Sequence, residues 1–144
     1  MKEYLSIPLN KRQGIIKKIK HSLLKEKSVV FVYVFGSFLG APSFRDIDIG
    51  IYVKDHNKNQ KDFFDYELEL SKKIAGVCGL PFDIFEVKVL NSAPSHFLNN
   101  VFKNGELLFS KSDEILSSLV ENTSLDAIAN EYIARQSLRE LIPA

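Results

Sequence analysis

Apolar and polar positions along the chain follow distinct rhythms, and each rhythm predicts an element. From Asn10, read as an N-cap, apolar side chains recur at Ile15, Ile16, Ile19, Leu23 and Leu24, while Lys17, Lys18, Lys20 and Lys25 take the other side. This predicts an amphipathic helix to about Lys25 with a solvated basic face. Val29 to Phe35 is apolar without interruption, β-branched and aromatic, as suits a strand buried on both faces. Gly36-Ser37 ends it and opens a short helical turn. Residues 46 to 53 alternate with period two, with Ile47, Ile49, Ile51 and Val53 on one face and Asp46, Asp48, Gly50 and Tyr52 on the other. The polar stretch Lys54 to Asp62 reads as a surface loop. Asp62 then caps a helix with Phe63, Tyr66, Leu70, Ile74 and Val77 on its core stripe, which Gly79 and Pro81 stop.

Phe82 to Lys88 reads as another strand, followed by a short helix from His96 to Lys103 and a brief strand from Glu106 to Phe109 after Asn104-Gly105. The remainder is helical in two segments. Ser112 caps the first, and the second runs from about Ser124 to Leu141 with Leu125, Ile128, Ala129 and Tyr132 facing inward. The sum is an α+β fold, a small mixed sheet with helices mainly on one face.

The 144 residues suit one core, and 45% hydrophobic with 26% charged residues suits a soluble globular protein. A net charge of +1 argues against general nucleic-acid binding, which needs a basic excess. The N-terminus lacks a signal-peptide apolar region, and Val29 to Phe35 is too short to span a bilayer. A lone cysteine, Cys78, forms no intrachain disulfide, which favours a reducing, cytoplasmic location. His21, His56 and His96 are too scattered for a metal site, and the default for Lys103 and Lys111 is solvation.

The chemistry concentrates in one region. Asp46 and Asp48, two apart on a strand, put their carboxylates on the same face with backbones roughly 6–7 Å apart. Such a pair either decorates an exposed sheet face or holds a hard divalent cation such as Mg²⁺, which takes carboxylate and phosphate oxygens. Gly36 lets a phosphate approach the backbone, and Ser37 offers a hydroxyl and amides at a helix start. The alternative is an ordinary strand-to-helix turn. Asp83, among apolar neighbours in Leu80 to Val87, is the third acid, although spacing alone does not say whether its strand lies beside the other two.

The ordered set in Phe35-Gly-Ser-Phe-Leu-Gly-Ala-Pro-Ser-Phe-Arg-Asp-Ile-Asp-Ile-Gly-Ile-Tyr52 resembles the Gly-Ser and Asp-x-Asp signature of the DNA polymerase β-like nucleotidyltransferase superfamily, and most nearly its minimal nucleotidyltransferase (MNT) branch. Asp83 falls where that family has its third acid, and Phe102 to Phe109 resembles its following Gly-then-apolar segment. The likeness spans about residues 10 to 110. It implies a nucleotidyltransferase domain over 1–110 with a helical extension over 111–144 packed on it. It also implies two Mg²⁺ ions on Asp46, Asp48 and Asp83, with Asp83 taking the acceptor's proton. An NTP, ATP by preference, would be bound at Gly36 and Ser37. The chain departs from the family in one loop: only eight residues separate Ser37 from Asp46, and Phe38-Leu39 stands where many members carry an arginine. Arg45 either substitutes for that arginine at the nucleotide or balances the acids. Members of this size resemble antitoxins that silence HEPN-domain toxins, by transferring AMP to a tyrosine hydroxyl or by binding alone. The resemblance therefore implies a HEPN-type partner, with a non-catalytic binding module and a small-molecule nucleotidyltransferase as alternatives. All of the transfer chemistry requires the three aspartates to converge beside the Gly-Ser turn.

Overall fold

Pro8, not Asn10, starts the first helix. Its fixed φ of −54° suits a helix entry, and its carbonyl accepts the Lys11 and Arg12 amides at 2.9 and 3.2 Å. The computed structural model describes the backbone of residues 4–54 and 60–141 and the side chains of 4–54 and 63–137. Within these lie α1 (Leu9–Leu24), β1 (Val29–Phe35), β2 (Ile47–Val53), α2 (Gln60–Cys78), β3 (Phe85–Val89), α3 (Ser95–Asn104), β4 (Glu106–Ser110) and α4 (Asp113–Leu141). Two short 3₁₀ turns, Ser37–Leu39 and Phe82–Ile84, follow β1 and precede β3. α2 begins before Asp62, so Asp62 is not its cap; the Asp62 side chain and most of the preceding polar loop, His56 included, lie outside the described residues. Gly79, at φ 69°, closes the helix by donating its amide to the Ala75 carbonyl at 2.9 Å.

The strands form one mixed sheet in the order β3-β2-β1-β4. β1 runs antiparallel to β2 and β4, and β2 runs parallel to β3. Alternation along β2 sends Ile47, Ile49, Ile51 and Val53 into a core with Ile16, Ile19 and Leu23 of α1 and Phe63, Leu70 and Ile74 of α2. This face holds most of the buried apolar side chains, which supply the main stabilisation. α3 and the start of α4 cover part of the opposite face, where Phe31, Tyr33, Leu98 and Val101 make a smaller cluster. Phe31 stacks on Tyr52 with centroids 5.2 Å apart. The Leu90 side chain packs closely over Gly50, where an added Cβ would press on its methyls.

Two further expectations about helices fail. Val77 is 51% exposed, because α2 turns that side away from the sheet near its end. The C-terminal segments form a single helix of 29 residues. Ser112 caps it by accepting the Ile115 amide at 3.3 Å, and no glycine or proline interrupts it. At 1.5 Å per residue α4 is roughly 44 Å long, against about 15 Å for α3, so its second half has too little to pack on. Leu125, Ile128 and Tyr132 are accordingly 57–64% exposed and Ala129 is exposed as well, instead of facing inward, and Ile133 beside them is 60% exposed.

Candidate functional site

The site is built where β1 ends. Gly36 adopts φ 85° and ψ −166°, a conformation essentially restricted to glycine. It also lacks room for a side chain, since an added Cβ would collide with the Oδ2 carboxylate oxygen of Asp48. The backbone of the Gly-Ser turn therefore lies directly against one of the acids. Ser37 opens the 3₁₀ turn and accepts the Ala41 amide on its carbonyl at 2.9 Å; Gly36 and Ser37 are exposed, whereas Phe38 is completely buried.

Beneath this loop lies a residue that the sequence reading passed over. Arg12 is 2% exposed. Its Nε donates to the Ile7 carbonyl at 2.7 Å, Nη1 to Phe38 at 2.9 Å and Nη2 to Pro42 at 3.1 Å. The guanidinium also sits 5.5 and 4.9 Å from the ring centres of Phe38 and Phe44, which meet edge to face at 4.9 Å. Its spacing carried a signal: Arg12, Ile16, Ile19 and Leu23 share one helical stripe, so a charge at that position points into the core.

The acids divide. Asp48 pairs with Phe35 on one side and with Glu86 on the other. Paired residues of neighbouring strands share a face, so Glu86 is the acid that the sheet sets beside Asp48. Asp46 is half-buried and immediately precedes β2. Asp83 lies in the turn before β3 instead of on the strand where it was expected, exposed, in an open groove of about 440 Å³ lined also by Glu86 and Lys88 of β3 and by Phe64, Glu67 and Leu68 of α2. The physical reason is strand phase. With β3 starting at Phe85, buried Phe85, Val87 and Val89 alternate with exposed Glu86 and Lys88. That alternation in Phe85 to Val89 was the available signal for Glu86. Among the described residues no three His, Cys, Asp or Glu side chains stand together closely enough to hold a metal ion.

Arg45 lies with its guanidinium 4.7 Å from the Tyr4 ring centre. Lys88, level with Gly50, sits on the Asp48 side of the sheet and reaches over Phe97 at 4.9 Å. Phe97 in turn meets Phe35 edge to face at 5.6 Å, so an aromatic wall borders the acids. Glu67 ties α2 to the edge strand by accepting the Val89 amide at 2.7 Å. Burial raises its carboxyl above the ordinary range, outweighing the opposing pull of that hydrogen bond and of Lys88. Burial likewise raises the Cys78 thiol and disfavours its thiolate. Lys111 is tied to the Glu26 carbonyl at 2.8 Å, while His21, His96 and Lys103 are exposed. Among the described residues no helix is long and apolar enough to cross a membrane.

Residues 17–114 match the model of the family described as polymerase beta, nucleotidyltransferase. Among solved structures, the chain is similar to the MNT antitoxin complex with a tri-AMPylated Shewanella oneidensis HEPN toxin, at 21% identity and a TM-score of 0.62, covering 90% of this chain and 96% of that one. It is also similar to the MntA-HepT toxin-antitoxin, at 20% identity and a TM-score of 0.61, with 89% and 96% covered. A toxin-antitoxin structure with AMP-PNP matches at 21% identity and a TM-score of 0.63, with 87% and 95% covered. At these identities the likeness is one of fold. A comparison with curated proteins returns no match.

Proposed function

The chain belongs to the polymerase beta nucleotidyltransferase family, and from that premise we propose that it transfers AMP from ATP, with Mg²⁺, to a hydroxyl of a HEPN-type partner protein in the cytoplasm, as the antitoxin of an MNT/HEPN pair. The observation that carries this reading is the contact between Gly36 and the Asp48 carboxylate, with Glu86 in register beside it. One turn of backbone able to approach phosphates thus abuts acids able to hold cations.

The donor set suits Mg²⁺, which is commonly held by one or two carboxylates together with substrate phosphates and water instead of an all-protein cage. Asp46 and Asp48 would hold the ions, with Glu86 beside Asp48 replacing Asp83 in the sequence-based set. When bound, the ions neutralise the triphosphate and stabilise the attacking and leaving oxygens. Gly36 and Ser37 bind the terminal phosphates through backbone amides and the Ser37 hydroxyl. The acceptor oxygen then attacks the α-phosphorus in line, and the bond from that phosphorus to the bridging oxygen breaks. Pyrophosphate leaves, and the acceptor proton passes to Glu86. Residues 1–110 form the catalytic unit and 111–144 its extension. Support for a protein acceptor comes from α4, whose apolar side chains at 125, 128, 132 and 133 follow helical spacing and remain exposed. A helical partner laying its own apolar face along this stripe would cover it.

The same stripe favours a second reading, in which the chain neutralises its partner by binding alone, since the contact needs no chemistry. Calorimetric titration with ATP and Mg²⁺, followed by incubation with radiolabelled ATP and the neighbouring-gene product, separates the two. Mg²⁺-dependent ATP binding and a labelled partner support transfer. A tight complex that binds no ATP and gains no label supports the binding module.

A further inference from the structure

We propose that Arg12 is a positioning residue for nucleotide binding, fixing the Gly36–Phe44 loop in the shape that presents Gly36 and Ser37 to a triphosphate; this rests on the nucleotidyl-transfer reading. The loop lacks regular structure beyond its 3₁₀ turn, yet it is held at both ends and in the middle. Phe44 pairs with Leu5, with reciprocal hydrogen bonds of 2.7 and 3.0 Å. Between these ends and the strand, the Arg12 guanidinium gathers the carbonyls of Phe38 and Pro42 and ties both to Ile7. Phe38 and Phe44 flank the same group, so loop backbone and loop side chains converge on one buried cation.

Two consequences follow for an anion on the outer side. The Phe38 carbonyl is taken up by the buried guanidinium, which removes a negative dipole end from the surface a phosphate approaches, and the Pro42 carbonyl is occupied by Arg12 and, at 3.4 Å, by the Ser6 hydroxyl. A fixed positive charge lies under the turn, where low dielectric leaves it weakly screened. A lysine cannot reproduce the arrangement: its ammonium is a compact point charge, whereas the planar guanidinium reaches three separate carbonyls and stacks between rings. The loop is thereby ordered before nucleotide arrives, so binding does not bear that ordering cost.

The test measures ATP affinity by calorimetry and melting temperature in wild type, Arg12→Lys, Arg12→Met and the solvated-face control Lys18→Met. ATP binding without the partner is the readout, so the acceptor plays no part. The expected result is an ATP affinity weakened about tenfold or more in both Arg12 variants, out of proportion to any loss among folded molecules, with Lys18→Met unchanged. In the transfer assay KM for ATP rises more than kcat falls. If the Arg12 variants do not fold, Pro42→Gly, which loosens the exposed outer side of the loop, must weaken ATP binding in the same way. Wild-type ATP affinity in a folded Arg12 variant, or in Pro42→Gly if that variant is needed, overturns the positioning role alone. Failure of the wild type to bind ATP overturns the nucleotidyl-transfer reading on which it stands.

Discussion

Replacing Gly36 with alanine tests the junction between the Gly-Ser turn and the acids. Two costs are separable. The backbone at φ 85° and ψ −166° is in a region that a side chain strains by about 1–3 kcal/mol. For a chain of this size each kcal/mol lowers the melting temperature by roughly 3–4 °C, giving a fall of about 3–12 °C. The second cost falls on the chemistry. The new methyl would collide with the Asp48 Oδ2, so the carboxylate must rotate away or β2 must shift. A displacement of about 1 Å at reacting groups costs on the order of 100-fold in rate. Gly36→Ala should therefore lose about 100-fold or more in AMP transfer while still melting cooperatively at a moderately lower temperature. Gly40→Ala is the control, because a Cβ there meets nothing within 4 Å and its φ of −146° is open to any residue. The assays are calorimetric melting and incorporation of label from radiolabelled ATP. If Gly36→Ala retained the wild-type rate and melting point, or if Gly40→Ala were equally damaged, the geometric argument would be wrong.

Two further expectations concern other parts of the fold. Ile128→Ser with Tyr132→Ser on the exposed stripe of α4 should weaken partner binding at least tenfold and leave the melting temperature within about 2 °C, since neither side chain is buried; unchanged affinity by surface plasmon resonance would remove α4 from the interface. Glu67, whose folded carboxyl titrates above its ordinary value, contributes relative stability below the unfolded pKa of 4.5 that is lost as pH rises through the folded value. Glu67→Gln, which keeps an acceptor for the Val89 amide, should accordingly gain stability relative to wild type at pH 7, with the gain shrinking as pH falls through the carboxylate range; a difference independent of pH in thermal melts contradicts this.

Much of this was readable from residue order, and the exceptions share a cause. The alternation through Ile47, Ile49, Ile51 and Val53 fixed which face Asp48 takes, and the glycine ending an apolar strand marked the turn beside it. The third acid depended on where β3 begins. Reading the strand from Phe82 put Asp83 on it, whereas the 3₁₀ turn delays the strand to Phe85 and brings Glu86 level with Asp48. Such a register is a relation between distant segments and is not contained in either segment. α4 illustrates the same limit, because its apolar spacing predicts a packed face but says nothing about whether α3 is long enough to meet it. Arg12 was obscured by composition: among many basic residues on α1, only its place on the Ile16-Ile19-Leu23 stripe distinguishes it.

Nucleotidyl transfer by the acids on the Asp48 face of the sheet, beside the Gly-Ser turn, is tested most sharply by the rate of label transfer from radiolabelled ATP to the partner by purified Asp48→Asn, Glu86→Gln and Asp83→Asn, each checked for folding. Asp48→Asn and Glu86→Gln should lose at least 100-fold while Asp83→Asn stays within about threefold of wild type. A Glu86→Gln protein with full activity beside an inactive Asp83→Asn would contradict this.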